Sequence, residues 1–372
     1  MKKVLILIPS LRGGGAEKVV VNLVNEFNSK NYAITLMTIF DSGVNKKLLG
    51  SNVSYKSFWR MYIRGAWRVF KYLPANISHK LIIKENYDIE IAYLEGIATK
   101  IISGGSDTIK KIAWIHCESK GKEDYFFEPY KNKRDFYDTY CKFNEIVGVS
   151  KEVIDSFHDY LPPQIKKRVI NNTLNEEYIY KRAKEKIYEF DVDANKIKFI
   201  SVGRLVQQKG FIRLIKIFSK ICKVYGDVEL YILGEGPQKK EIEKEINRNK
   251  LKNVHLLGYK ENPYKYMSRM DCYICSSYQE GFSTSVTEAF IVGIPVITTA
   301  CSGSEELCGL GAGLRCANND AALEVAIRSF IEEESIRKHL RMNIDKTRKM
   351  FSKSKTLKEF EELLDEIIIQ GS

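Results

Sequence analysis

No stretch of this 372-residue chain approaches the roughly 18–20 consecutive apolar residues that cross a bilayer. The longest run near the start, Val4–Ile8, is too short for the core of a secretory leader, and alternating motifs follow it at once. A cytoplasmic protein is therefore expected. A second cysteine pair at metal-ligand spacing is also missing. Cys272 and Cys275, in MDCYICSSY, have the spacing of redox and zinc sites. They fall inside an expected strand rather than at a helix start, so buried reduced thiols are expected. Short-period repeats and low-complexity linkers are absent, which excludes a solenoid or a string of tethered modules. Asp and Glu are absent from residues 42–84, where nine Lys or Arg occur.

What is present describes a globular protein. Hydrophobic residues make up 44% and charged residues 28% of the chain, enough for a sizeable core, and the length suits two domains. The net charge of +12 points to a polyanionic partner: nucleic acid, an anionic membrane face or a phosphorylated substrate.

The order of patterns is strand, short loop, helix, repeated. KVLILIPS reads as a fully buried parallel strand, AEKVVVNLVNEFNSK as a helix, then AITLMTIF, YDIEIAYL, IKKIAWIH and EIVGVS as strands. A polar break spans 171–196. The alternation then restarts with IKFISVGR, VELYILGEG, VHLLGY, DCYICSS and IPVITTA, with helices over 210–224, 237–249, 262–269 and 285–292. Two rounds of βα alternation predict two Rossmann-like, doubly wound α/β domains with a cleft between them. The expected division is 1–175, joined by an amphipathic C-terminal helix over 355–372, and 176–354.

Three glycines, Gly13, Gly14 and Gly15, lie between the first strand and helix. The dinucleotide spacing G-x-G-x-x-G fails because Lys18 takes the third position, so a nicotinamide or flavin site is not indicated. A loop without Cβ atoms at a helix N-terminus still suits close approach of an anion, and Glu17 in the first turn suits the helix dipole. A tight turn without a ligand is the alternative.

Three features of the second half converge. SVGRLVQQKG places Arg204 and Lys209 just after a strand, where the crevice of an α/β sheet lies, and the two cations suit a pyrophosphate. LGEGP ends the next strand with Gly234 and Gly236. EGFSTSVTE sets Glu280 and Glu288 on either side of an expected helix start at Ser283–Ser285, whose N–H groups suit a phosphate while the carboxylates suit sugar hydroxyls.

In this order SVGRL…KG, LGEGP, GY…NPYKYM, EGFSTSVTEAF and GIPVITT…GSEEL resemble the nucleotide-sugar domain of retaining glycosyltransferases of the GT-B fold, family 4, and GGGAEKVVVNL resembles the opening of that family's acceptor domain. The resemblance implies that Arg204 and Lys209 bind the donor diphosphate and that Glu288 holds the ribose hydroxyls. By the same resemblance Glu280 contacts the sugar, and Phe282, Ser283, Thr284 and Ser285 line the sugar and distal phosphate. It also places Tyr259 and Lys260 near the base, Gly14 and Gly15 near the donor phosphates, and His116 beside the donor sugar; a satisfied core histidine is the alternative for His116. The implied reaction is retaining transfer of a hexose from a sugar nucleotide, with a UDP-sugar the expected donor. No enzymic nucleophile, metal or other cofactor is expected. Asp191-Val192-Asp193 spells the D-x-D of metal-dependent transferases, but it sits in the polar break and is expected to be a solvated loop.

SFWRMYIRGAWRVFKYL, read as a helix, gathers Trp59, Tyr62, Ile63, Ala66, Trp67 and Phe70 on one face beside Arg60, Arg64, Arg68 and Lys71. That pattern fits an interfacial helix on an anionic membrane, hence a peripheral location on the inner face of the cell membrane and a lipid-linked glycan acceptor in cell-surface polysaccharide assembly. A core-packed helix with a basic solvent face is the alternative. Two further readings stand beside transfer: a sugar-nucleotide epimerase on the same scaffold, and a nucleic-acid-binding protein, against which the absence of any recognised nucleic-acid module counts.

Overall fold

A computed structural model describes all residues except 13, 62–64, 66–67, 120–125, 190–192, 194 and 370–372. The chain divides into two units, Met1–Leu174 with Lys353–Ser372, and Asn175–Ser352.

The first unit is built on seven parallel strands: β1 (Lys2–Ile8), β2 (Tyr32–Phe40), β3 (Ser54–Trp59), β4 (Ile89–Ala92), β5 (Lys110–Ile115), β6 (Glu145–Gly148) and β7 (Lys166–Val169). Their order is β3-β2-β1-β4-β5-β6-β7. Val4 in β1 registers with Ile34 on one side and Ile89 on the other, so the order reverses beside β1. Val4 to Ile8 are fully buried, as a central strand covered on both faces requires. Helix α1 (Gly15–Glu26) follows β1 and buries Val19, Val20, Val21, Leu23 and Val24, while Glu17 stands in its first turn. Further along come α2 (Val69–Tyr72), α3 (Ala75–Ile82) and α4 (Ile97–Ile102). Every residue of α4 is buried.

The second unit has six parallel strands: β8 (Ile197–Val202), β9 (Val228–Leu233), β10 (Val254–Gly258), β11 (Cys272–Cys275), β12 (Val296–Thr299) and β13 (Gly313–Cys316). They run β10-β9-β8-β11-β12-β13. The order reverses between β8 and β11, the neighbours that register at Phe199 and Cys272. In such sheets the carboxyl ends of the strands at the reversal border the ligand crevice. Two helices follow these strands: α5 (Phe211–Val224) after β8, and α6 (Thr284–Val292) after β11.

The last helix, Lys353–Ile369, is part of the first unit. Phe360 packs edge-on against Phe27 at 5.1 Å and lies 6.0 Å from Trp114. Glu366 pairs with Lys166 at 2.7 Å and also with Arg168.

The reading of the basic segment as one helix is overturned. Ser54–Trp59 is an edge strand, in register with β2 from Thr35↔Ser54 to Phe40↔Trp59. Pairing with the open edge of β2 outweighs local helical periodicity there. Trp59 consequently stacks on Phe40 at 5.1 Å and contacts Phe70 at 5.7 Å instead of standing on an outward face. Arg60, just past the strand, and Arg68 are exposed. Tyr62, Ile63, Arg64, Ala66 and Trp67 lie outside the described residues. The polar break is not a plain loop either: it contains a helix, Glu176–Ala183, capped by Asn175, whose Oδ1 accepts from the Tyr178 N–H at 2.8 Å.

Candidate functional site

The site grows from the turn after β8. The chain leaves Val202 and runs through Arg204, which is exposed, to Lys209. It enters α5 through Gly210, whose φ of +66° places it in the left-handed region. A Cβ on Gly210 would lie 2.1 Å from the Ser276 carbonyl oxygen, so glycine lets this turn press against the loop that follows β11. Hydrogen bonds join the two loops. Ser276 Oγ donates to the Lys209 carbonyl at 3.0 Å, the Tyr278 N–H to the Gln208 carbonyl at 2.8 Å, and Gln208 Nε2 to the Gln279 carbonyl at 2.9 Å.

These bonds bring together two residues that are 71 apart in the chain. Lys209 Nζ donates to Glu280 Oε1 at 2.6 Å, and Ser277 Oγ donates to the same oxygen at 2.5 Å. The side chains of Lys209 and Glu280 are only 22% and 11% exposed. Burial works against the Lys209 charge and Arg204 repels it, yet the Glu280 carboxylate wins and holds the ammonium above the usual lysine range. Lys209 and Glu280 share a small pocket with Ser201, Tyr273, Cys275 and Ser285.

The start of α6 borders the same pocket. Ser283 is extended and its hydroxyl does not cap the helix. Ser283 Oγ lies 3.2 Å from Ser285 Oγ, which accepts from Tyr273 Oη at 2.8 Å. Phe282 is buried against Phe351, 6.0 Å away. Glu288, in the second turn of α6 and 4% exposed, accepts from Tyr264 Oη at 3.1 Å. Glu280 and Glu288 are thus held by different partners. Tyr259 is 66% exposed, and Lys260 pairs with Glu189 at 3.4 Å.

Beneath this surface Arg213, 2% exposed, ties the loops down. Its Nη1 donates to Asn318 Oδ1 at 2.9 Å and its guanidinium lies 4.4 Å over the Tyr278 ring. Asn318 Nδ2 in turn donates to the Tyr278 carbonyl at 2.8 Å. Ser277, Tyr264, Tyr273 and Arg213 were not singled out from sequence. Ser277 and Arg213 lie within a few residues of Lys209 or Glu280 and could have been found by proximity, whereas nothing near Tyr264 in the chain points to Glu288.

In the first unit, Gly14 precedes α1, and the space a Cβ there would take is filled by Glu17, whose Oε2 lies 2.0 Å from that position. His116 follows β5 and is 7% exposed; its backbone N–H donates to Glu95 Oε2 at 2.9 Å. Its ring lies 4.9 Å from Tyr93, and its Nε2 is buried without a hydrogen-bond partner among the described residues. Burial drives the imidazole down to about 3, only partly offset by a hydrogen bond to the Tyr93 backbone, so it is neutral near pH 7.

All eight cysteines are free thiols. Cys272 and Cys275 lie three apart on one strand, which sends their side chains to opposite faces. Among the described residues no group of three or more His, Cys, Asp and Glu is arranged to hold a metal. Asp191 and Val192 lie outside those residues; Asp193 Oδ1 accepts from the Asn195 N–H at 2.9 Å.

Residues 183–349 match the family model described as glycosyl transferases group 1. That match lies within the second unit, which is similar to the glycosyl transferases group 1 domain. An uncharacterised glycosyltransferase of Methanocaldococcus jannaschii is 28% identical over 236 residues, 61% of this chain and 57% of that protein. The N-acetylgalactosamine-N,N'-diacetylbacillosaminyl-diphospho-undecaprenol 4-alpha-N-acetylgalactosaminyltransferase of Campylobacter jejuni is 32% identical over 199 residues, 51% of each chain. The chain thus spans just over half the length of these two curated relatives. Anabaena HepE, solved in complex with UDP and glucose, superposes with a TM-score of 0.77 at 18% identity, covering 98% of this chain and 100% of that one. At that identity the likeness concerns the fold, and the expected class of two Rossmann-like doubly wound domains of GT-B type holds.

Proposed function

We propose that this protein is a retaining glycosyltransferase that moves a hexose from a UDP-sugar to a glycan acceptor carried on a lipid, in cell-surface polysaccharide synthesis. The observation that carries the reading is the Lys209–Glu280 pair, fixed at the β8/β11 reversal beside the start of α6 in a unit similar to the glycosyl transferases group 1 domain. The UDP and glucose bound by Anabaena HepE support the donor class, and the diphospho-undecaprenol in the name of the Campylobacter relative supports a lipid-linked acceptor.

In this reading Lys209 and Arg204 take the diphosphate, with the N–H groups at the start of α6 on its distal phosphate. Cleavage of the anomeric bond leaves an oxocarbenium-like sugar and a diphosphate that gains negative charge. Cations fixed beside it stabilise that state more than the ground state. Glu280 gives up part of its hold on Lys209 and accepts a sugar hydroxyl. Glu288, oriented by Tyr264, accepts from the ribose. Phe282, Ser283, Thr284 and Ser285 shape the sugar subsite, and Tyr259 and Lys260 lie by the base. In the first unit the neutral His116 offers an Nε2, without a partner among the described residues, that accepts a hydrogen bond from a sugar hydroxyl, and Gly14 and Gly15 take phosphate once the Glu17 side chain turns away from Gly14. The departing phosphate oxygen takes the acceptor's proton, which gives front-face retention, and the cations act in place of a metal.

The test is a donor panel. Purified protein is incubated with UDP-, GDP- and ADP-hexoses with and without EDTA, and slow donor hydrolysis and transfer to lipid-linked glycans are followed. UDP-hexose turnover that survives EDTA and yields an α-linked product is expected. Consumption of the sugar nucleotide as a new epimer would move the assignment to an epimerase, and no turnover of any donor would remove it.

A further inference from the structure

Residues 42–84 carry nine Lys or Arg and no carboxylate, and the structure shows what they surround. Helix α4 is wholly buried, and α2 and α3 both pack on it as an outer layer. Lys100, 3% exposed on α4, fastens that layer by donating to the Lys71 carbonyl at 2.7 Å. The inner sides of α2 and α3 are Phe70, Ser78 and Ile82, all buried. Their outer sides carry Val69, Tyr72, Ile77 and Leu81, which are 54%, 70%, 50% and 41% exposed. Ile77 and Leu81 are one helical turn apart on α3, Lys80 lies beside them, and Lys84, just past the helix end, donates from Nζ to the Lys80 carbonyl at 2.9 Å. Among the described residues, Lys71, Lys80 and Lys84 have no carboxylate within ion-pairing distance, while Arg68 reaches Glu128 at 3.7 Å.

The apolar exposure is concentrated. Of the nineteen exposed large apolar side chains among the described residues, four, Val69, Tyr72, Ile77 and Leu81, lie on α2 and α3. Single exposed apolar residues need no explanation, but a cluster interleaved with unpaired lysines does. A protein partner of ordinary surface would leave those lysines facing mixed charge. A bilayer face with anionic headgroups meets both demands: apolar side chains enter the headgroup boundary and lysines meet phosphates.

We propose that the α2–α3 layer is the surface by which this protein docks on an anionic lipid bilayer. Tyr72, Ile77 and Leu81 are the inserting side chains, and Lys71, Lys80 and Lys84 supply the charge. Trp59, packed against Phe40 and Phe70, takes no part. The proposal stands on this surface alone, although it gives the lipid-linked acceptor of the preceding section a place to be met.

The experiment is co-sedimentation of the full chain with vesicles of phosphatidylcholine alone and of phosphatidylcholine mixed with phosphatidylglycerol. Binding is expected only to the mixed vesicles and is reversed by salt. Each of Lys71→Ala, Lys80→Ala and Lys84→Ala lowers partitioning about fivefold. Ile77→Ser with Leu81→Ser lowers it about tenfold or more. Val325→Ser, at an exposed position in the second unit, changes nothing. All of these positions are exposed or half-buried, and circular dichroism of each variant checks its folding. Equal binding to both vesicle types, binding indifferent to these substitutions, or a lipid-free dimer that Ile77→Ser and Leu81→Ser dissolve would each overturn the proposal. Vesicle binding with no turnover of any sugar nucleotide would leave the docking surface standing and remove the transferase reading.

Discussion

The two units share a parallel, doubly wound plan but hold their candidate site residues differently. In the second, the groups at the strand ends are bonded to one another: Lys209 and Ser277 to Glu280, Tyr264 to Glu288, Tyr273 to Ser285. In the first, the Nε2 of His116 is buried without a partner among the described residues, and the opening left by Gly14 is occupied by Glu17. A network of internal pairs fixes charges in place before a ligand arrives, which is what differential stabilisation of a charged transition state requires. A bare acceptor and a covered glycine fix nothing alone. The second unit is therefore the place to look for turnover, and the first for recognition and for sensitivity to conditions.

The sharpest way to break that contrast is Lys209→Ala. Turnover of the donor is expected to fall by about 100- to 1000-fold, the usual loss for one fixed donor to developing charge. Since Lys209 and Glu280 act as a pair, Lys209→Ala with Glu280→Gln should cost little more than Lys209→Ala alone, measured as a double-mutant cycle on initial rates. Additive losses would mean that the pair is incidental.

Glycine substitutions compare the units through stability. Gly210→Ala combines a left-handed backbone with a Cβ 2.1 Å from the Ser276 oxygen, so a loss of about 2–3 kcal/mol is expected in urea unfolding. Gly65→Ala in the first unit meets the same left-handed backbone, φ +78°, but has nothing within 4 Å among the described residues, and about 1 kcal/mol is expected. Equal costs would show that the β8 and β11 loops do not press together.

His116 gives the first unit a pH signature. Its folded value of about 3 lies below the ordinary histidine value, so between them the unfolded chain binds the extra proton, and stability is lost as pH falls from about 6.5 toward 3. By pH 5 this group alone costs about 2 kcal/mol. His116→Gln should therefore flatten the acid limb of the stability curve while leaving stability above pH 7 nearly unchanged. A parallel acid limb in both proteins would mean that the imidazole titrates normally. A smaller effect is expected at Tyr264→Phe, which removes one hydrogen bond to Glu288 and should weaken UDP binding about fivefold, or about 1 kcal/mol, without changing turnover at saturation.

Both parallel sheets were legible because buried strands such as Val4–Ile8 leave an unbroken apolar run, and the loops of the second unit because glycines and charges cluster at strand ends. The edge strands β3, β7 and β13 were not, although the edge strand β10 was. Lys166–Val169 is polar and borders the sheet on one side only, and Ser54–Trp59 carries an aromatic and basic pattern that a helix satisfies equally well. The expected interfacial helix therefore loses Trp59 to packing against Phe40 and Phe70, while Arg64 and Trp67 lie outside the described residues. The link between Tyr264 and Glu288, and the one between Arg213 and the Tyr278 loop, depend on tertiary packing that no local spacing encodes.

The central claim is that Lys209 and Glu280 form the diphosphate end of a nucleotide-sugar site. Calorimetric titration of the wild-type chain and of Lys209→Ala with UDP, and in parallel with uridine, tests it most directly. UDP affinity should fall at least tenfold in the variant while the weak uridine affinity stays the same. Equal UDP affinity in the two proteins, or a wild-type chain that does not bind UDP, would contradict it.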